Sequence, residues 1–158
     1  MFTLNDLLDI AIKMEENGKK IYQSAKKKIQ DKDLQSLLQW MADEEDCHGK
    51  WFSRLKEKQG PDAEDLEVML PDVLKEMMGE KSLSLDDVDF SDIKTSAQML
   101  AVFMEFENDT ILFYEFLETF IEEEEPLEGL MKVIAEETAH VDKLRLMIQS
   151  AREEPVSF

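Results

Sequence analysis

Four apolar stripes at helical spacing run through this sequence, and a glutamate interrupts each one near its middle. In steps of three and four residues, the first reads Leu8, Ala11, Glu15, Gly18, Tyr22, Ala25, Ile29. The second reads Leu34, Leu38, Met41, Glu45, His48, Phe52, Leu55. The third gives Leu100, Phe103, Glu107, Thr110, Tyr114, Leu117, Ile121, and the fourth Leu130, Val133, Glu137, His140, Leu144, Met147. Such stripes bury one face of a helix. A buried carboxylate without a partner is very costly, so it pairs, takes up a proton or binds a metal. No lysine or arginine lies on any of the four stripes. Two divalent cations would balance four carboxylates charge for charge, with neutral imidazoles completing the set.

The spacing supports a metal pair. Glu45-Asp46-Cys47-His48 and Glu137-Thr138-Ala139-His140 are both Glu-x-x-His, and residues three apart share a helix face. One such motif is a weak signal. Two, each preceded by a glutamate 30 residues earlier, are a strong one. The halves also repeat at an offset of 92 residues: Glu15 matches Glu107, Tyr22 matches Tyr114, Glu44-Glu45 matches Glu136-Glu137, and His48 matches His140. Two hairpins about a pseudo-twofold axis would give this pattern, with a metal pair near the axis. The expected ligands are Glu15, Glu45, His48, Glu107, Glu137 and His140, with Glu15 and Glu107 bridging. A Glu from each of two helices plus a Glu-x-x-His from each of the other two is the ligand pattern of ferritin-like carboxylate bundles. Oxygen-rich ligation with one imidazole per ion favours iron or manganese, with zinc as an alternative.

Tyr22 and Tyr114 lie two turns past their glutamates. They either donate hydrogen bonds to ligand carboxylates or are ordinary core tyrosines. Gly18 and Thr110 read as small packing residues one turn from the metal layer. Trp40, Trp51 and the ten methionines read as packing rather than an electron path, and Cys47 lies off the ligand face.

A chain of 158 residues suits one domain. With only five Gly and four Pro it has little material for the turns of an all-β fold. The expected class is all-α, a four-helix bundle of two antiparallel hairpins joined by a long crossover. Its helices are predicted at about 3–29, 31–59, 95–122 and 126–153. Thr3 with Asp6 suggests a capping box, Gly60-Pro61 a stop, and Pro126 a first-turn residue. The crossover, about 60–94, is acidic and broken by Pro61, Pro71 and Gly79, with a short helix expected at 72–78. It is long enough to run back along the bundle, which makes the second and third helices parallel.

The formal net charge of −19 predicts repulsion from nucleic-acid phosphates and anionic membranes. Cys47 is the sole cysteine, so no disulfide forms within the chain, which fits a reducing compartment. The N-terminus, MFTLNDLLDI, has no basic flank, and no apolar run approaches a membrane span. A cytoplasmic location is expected.

The segments MEENGKKIY (14–22), DEEDCH (43–48), FENDTILFY (106–114) and AEETAH (135–140) resemble the rubrerythrin-like branch of the ferritin superfamily. The resemblance covers nearly the whole chain except the crossover. It implies a ferritin-like bundle, two iron ions per chain, reaction with hydrogen peroxide or dioxygen, and a homodimer. Rubrerythrins proper carry a rubredoxin module with Cys-x-x-Cys pairs; this sequence has none, so electrons are expected from an external donor such as a rubredoxin. They also carry an extra glutamate one turn after the third-helix ligand, where this chain has Thr110. The six-residue set is closer to bacterioferritin or dimanganese catalases. A peroxide- or oxygen-reducing di-iron protein is the leading expectation. A ferroxidase and a non-redox structural metal bundle are the alternatives.

Overall fold

The structure is a computed structural model that describes residues 3–60, 90–150 and 154–158. Four long helices dominate it: α1 (Leu4–Lys26), α2 (Lys32–Gln59), α3 (Ser96–Glu118) and α4 (Glu124–Ser150), with a 3-10 turn at Phe90–Asp92 before α3. Local sequence explains their ends. Thr3 and Asp6 exchange side-chain and backbone hydrogen bonds in a capping box, and Thr95 with Gln98 does the same for α3. Asp31 caps α2 by accepting from the Leu34 amide at 3.0 Å. Gly60 ends α2 at φ +73°, in the left-handed region that favours glycine.

Three ends differ from expectation. The first helix stops at Lys26, not near residue 29: the Lys27 amide tightens onto the Ser24 carbonyl at 3.2 Å. Ile29 remains buried beyond the end, so the apolar stripe outlasts the helix that began it. The third helix stops at Glu118, where the Thr119 amide turns back to Phe116. The fourth starts two residues before Pro126, which the first turn tolerates because amides there have no helical acceptor. Most of the expected crossover, including the short helix at 72–78, lies outside the described residues.

Two apolar clusters fix the helix directions. Leu4, Leu8 and Ala11 at the start of α1 pack with Leu55 near the end of α2, Leu117 near the end of α3 and Leu130 near the start of α4. Tyr22 and Ala25 pack instead with Leu38 on α2, Leu100 and Phe103 near the start of α3, and Leu144 on α4. Thus α1 and α2 run antiparallel, α3 and α4 run antiparallel, and α2 and α3 run the same way. This is an all-α, four-helix bundle. The α2–α4 approach is close: a Cβ on Gly129 would lie 2.4 Å from Trp51 Cζ2, so only glycine admits the indole there.

Residues 154–158 tie one end of the bundle. Ser96 N donates to Glu154 O at 2.8 Å and Val156 N to Lys94 O at 2.9 Å, while the Glu154 carboxylate accepts from the Gln30 amide at 2.7 Å. Among the described residues, no helix is long and apolar enough to cross a membrane.

Candidate metal centre

Between the two apolar clusters lies a layer of charge. Glu15, Glu45, His48, Glu107, Glu137 and His140 are all at most 3% exposed. Each follows from its stripe: the register that buries Leu8 and Ala11 also buries Glu15, and the other three helices repeat the argument. All six expected residues converge. Ligand atoms of Glu15, Glu45, His48 and Glu137 lie within 4.8 Å of one another, and so do those of Glu45, Glu107, Glu137 and His140. The two groups share Glu45 and Glu137. The expected shared pair, Glu15 and Glu107, instead takes the outer positions.

The tyrosines explain that difference. Tyr22 Oη donates to Glu107 Oε1 at 2.5 Å, and Tyr114 Oη donates to Glu15 Oε1. Each hydroxyl crosses between α1 and α3 and ties back one oxygen of an outer glutamate. Of the two readings open from sequence, hydrogen bonding to ligand-type carboxylates is the one observed. Burial first, and then the nearby Glu charges, push both phenols well above their ordinary range, so they remain donors. Tyr114→Phe is expected to leave a buried carboxylate oxygen without its donor. The loss is about 1–3 kcal/mol of stability, measurable as a shift in the urea midpoint without a change in slope. An unchanged midpoint would show that the bond contributes nothing.

Glu44 and Glu136 were not singled out from the sequence, although the 92-residue repeat contains both. His48 Nδ1 lies 2.9 Å from Glu137 Oε1 on the inside, and its Nε2 lies 2.6 Å from Glu136 Oε2 on the outside. His140 mirrors this. Its Nδ1 lies 3.1 Å from Glu137 Oε2 and 3.3 Å from Glu45 Oε1, and its Nε2 lies 3.4 Å from Glu44 Oε1. Each histidine therefore turns one nitrogen inward and one toward a half-buried carboxylate on the other Glu-x-x-His helix. An outer carboxylate that holds the Nε2 proton leaves the Nδ1 lone pair for an ion. The Trp40 ring, expected only to pack, meets the His140 ring edge-on at 4.9 Å.

Thr110 spends its hydroxyl on its own helix, donating to Phe106 O at 2.9 Å, so it offers the site no polar atom in place of a seventh carboxylate. Gly18 makes room: a Cβ there would stand 2.8 Å from Glu45 Oε2.

Electrostatics test whether this donor set suits cations. Burial, then the charges of Glu137, Glu15 and Glu107, raise Glu45 well above the carboxylate range. Glu107 is pushed up to about 8 by burial and then by Glu137. Burial alone would lower His48, but its hydrogen bond to Glu137 and the neighbouring Glu15 carboxylate outweigh it and carry the imidazole up to about 11. His140 rises further, against burial, through the negative charge of Glu107 close by. Burial and mutual repulsion favour protons on the two glutamates, and attraction to the same carboxylates favours them on the two histidines. Glu15 Oε2, Glu45 Oε1, Glu107 Oε2, Glu137 Oε2 and both ring nitrogens of His140 are buried with no hydrogen bond. The His140 nitrogens lie within ion-pair distance of carboxylates yet outside hydrogen-bond geometry. Orphaned acceptors this dense are the signature of oxygen and nitrogen atoms arranged for ions rather than for one another.

A family model for rubrerythrin matches residues 6–154. The chain belongs to the rubrerythrin family. Two solved structures are similar to it. One, a ferritin-like diiron-carboxylate protein from Thermotoga maritima, shares 20% identity, with 96% of this chain and 97% of that one aligned at a TM-score of 0.70. The other, a hypothetical protein from Pyrococcus furiosus, shares 26% identity, with 94% and 89% aligned at a TM-score of 0.72. No curated protein matches the chain. Family membership and the buried carboxylate–histidine cluster agree: this rubrerythrin-family bundle is a metal-binding protein.

Proposed function

We propose that the chain is a di-iron oxidoreductase that reduces hydrogen peroxide or dioxygen with electrons from a separate carrier. The observation that supports it most is the pair of four-residue groups overlapping in Glu45 and Glu137, which suits two ions side by side. Glu15 with His48 would complete one position and Glu107 with His140 the other. Iron bound there supplies the two electrons that, with two protons, convert peroxide to two waters.

The protein's own residues do the rest. Tyr22 and Tyr114 hold Glu107 and Glu15 at the edges of the layer. Glu136 and Glu44 fix the rings of His48 and His140 from outside. The apolar clusters on either side keep bulk water from the carboxylates. Glu136 and Glu44 are 34% and 20% exposed, so each joins a buried imidazole to solvent and can pass a proton inward at its Oε atoms.

The test is to load the protein with Fe(II) without oxygen and add one equivalent of peroxide. The expected result is oxidation within seconds, read by optical absorption. A ferrous protein unchanged over minutes would overturn the proposal, and zinc in the protein as purified would point to a structural bundle.

A ferroxidase is the second reading, favoured by Glu44, His48 and Glu136, whose ligand atoms lie within 4.8 Å of one another between the surface and the buried layer. Turnover of added Fe(II) well beyond two ions per chain would favour it over peroxide reduction.

A further inference from the structure

Charge is unevenly shared between the two hairpins. Residues 96–150 carry thirteen acidic and three basic side chains, whereas residues 3–60 carry eleven of each. Within the first hairpin, part of the basic charge gathers on its outer face. A groove of about 540 Å³ runs between α1 and α2, and Lys19, Lys20, Lys50 and Arg54 line it together with Glu16 and Asp46. Asp46 is held between Lys19 at 2.8 Å and Lys50 at 2.7 Å, so it is already neutralised from both sides. Lys20 and Arg54 stand exposed. A strongly acidic protein thus presents one locally positive face.

The groove also lies at the height of the metal layer. Gly49 is part of its lining and follows His48 directly in sequence. A Cβ on Gly49 would be 3.5 Å from Glu15 Cβ. With no side chain at Gly49, a partner seated here is separated from Glu15 and His48 by little more than helix backbone.

The geometry points to this groove as the docking surface for an acidic electron-carrier protein. The inference rests on the proposed redox function, because that function needs electrons from outside the chain. A negatively charged carrier is repelled by the α3–α4 hairpin and steered toward this positive groove, which sets its orientation as well as its encounter rate. Docking there brings the carrier's redox centre to the side of the metal layer formed by Glu15 and His48.

Reduced rubredoxin of strongly negative charge serves as the probe. In stopped flow at low salt, Lys20→Glu/Arg54→Glu is expected to lower the second-order rate constant for reduction of the diferric protein by roughly tenfold or more, and added salt should narrow the gap. The neutral Lys20→Gln/Arg54→Gln variant should lie between. Lys13→Glu/Lys58→Glu, the same charge change on the same hairpin but outside the groove, should leave the rate near wild type. Bound iron and reduction by dithionite should be unaltered in every variant. Binding of oxidised rubredoxin, followed by calorimetry, should weaken in parallel. Equal rates and equal binding for the wild-type and groove variants would overturn the assignment, as would an equal loss in Lys13→Glu/Lys58→Glu. Groove-dependent binding in a protein that peroxide and dioxygen fail to oxidise would instead overturn the redox reading and leave the docking surface in place.

Discussion

Glu137→Ala is expected to abolish binding of both ions, whereas Glu15→Ala should remove one. Glu137 belongs to both four-residue groups, and its two oxygens face different histidines: Oε1 lies 2.9 Å from His48 Nδ1 and Oε2 lies 3.1 Å from His140 Nδ1. Truncating it takes a donor from each position at once. Glu15 belongs to one group only, and so does Glu107. Metal per chain, measured after reconstitution with Fe(II) and removal of the excess, separates the cases. Near zero for Glu137→Ala against near one for Glu15→Ala and Glu107→Ala supports the shared role. One ion retained by Glu137→Ala would return the bridging role to Glu15 and Glu107, as the sequence alone suggested.

Metal loading is expected to raise the thermal midpoint by about 10 °C for each ion bound, since ligand at a thousandfold excess over Kd adds about 4 kcal/mol per site and a chain this size gains about 2–4 °C per kcal/mol. The source of the effect is specific. Four carboxylates and two imidazoles sit at most 3% exposed, and several of their oxygens have no hydrogen-bond donor. Folding strips water from all of these atoms, and cations bound only by the folded chain return what was lost. Calorimetry with and without Zn(II), which has no redox chemistry to complicate the scan, reads the shift. A midpoint that does not move on adding metal would mean that the layer is stabilised by its own protons and that the cluster is not an ion site. Glu137→Ala should show no response, which ties any shift to this layer.

The stripes of the sequence carry the helices, their pairing and the six buried carboxylate and imidazole residues of the layer, because a burial pattern at helical spacing depends only on which side chains leave water. What the stripes could not carry was the division of labour inside the layer. Whether Glu15 or Glu45 lies centrally depends on which carboxylates are tethered from across the bundle, and the bonds from Tyr114 and Tyr22 decide that. The stripes give Glu44 and Glu136 no role for a related reason. Each lies one position before a stripe residue, where a glutamate ordinarily points to solvent, and only the opposing histidine gives it a role. The 92-residue repeat was the available clue, since both recur in it alongside the ligands. A stripe overstates its helix where apolar burial continues past the last helical turn, as at Ile29.

Tyr22 to Glu107 and Tyr114 to Glu15 are one contact made twice, and the His48–Glu136 bond at 2.6 Å has a looser counterpart in His140 and Glu44 at 3.4 Å. The molecule therefore contains a matched twin for nearly every support of its centre, placed in a different neighbourhood: Phe103 edges against Tyr22, while Phe52 and Phe113 flank Tyr114. The same replacement made in each twin subtracts the shared chemistry and leaves the influence of the neighbours. Any inequality between the two halves of the layer then has an address in the surrounding rings and in the looser hold on His140, since the ligand-type residues are the same on both sides.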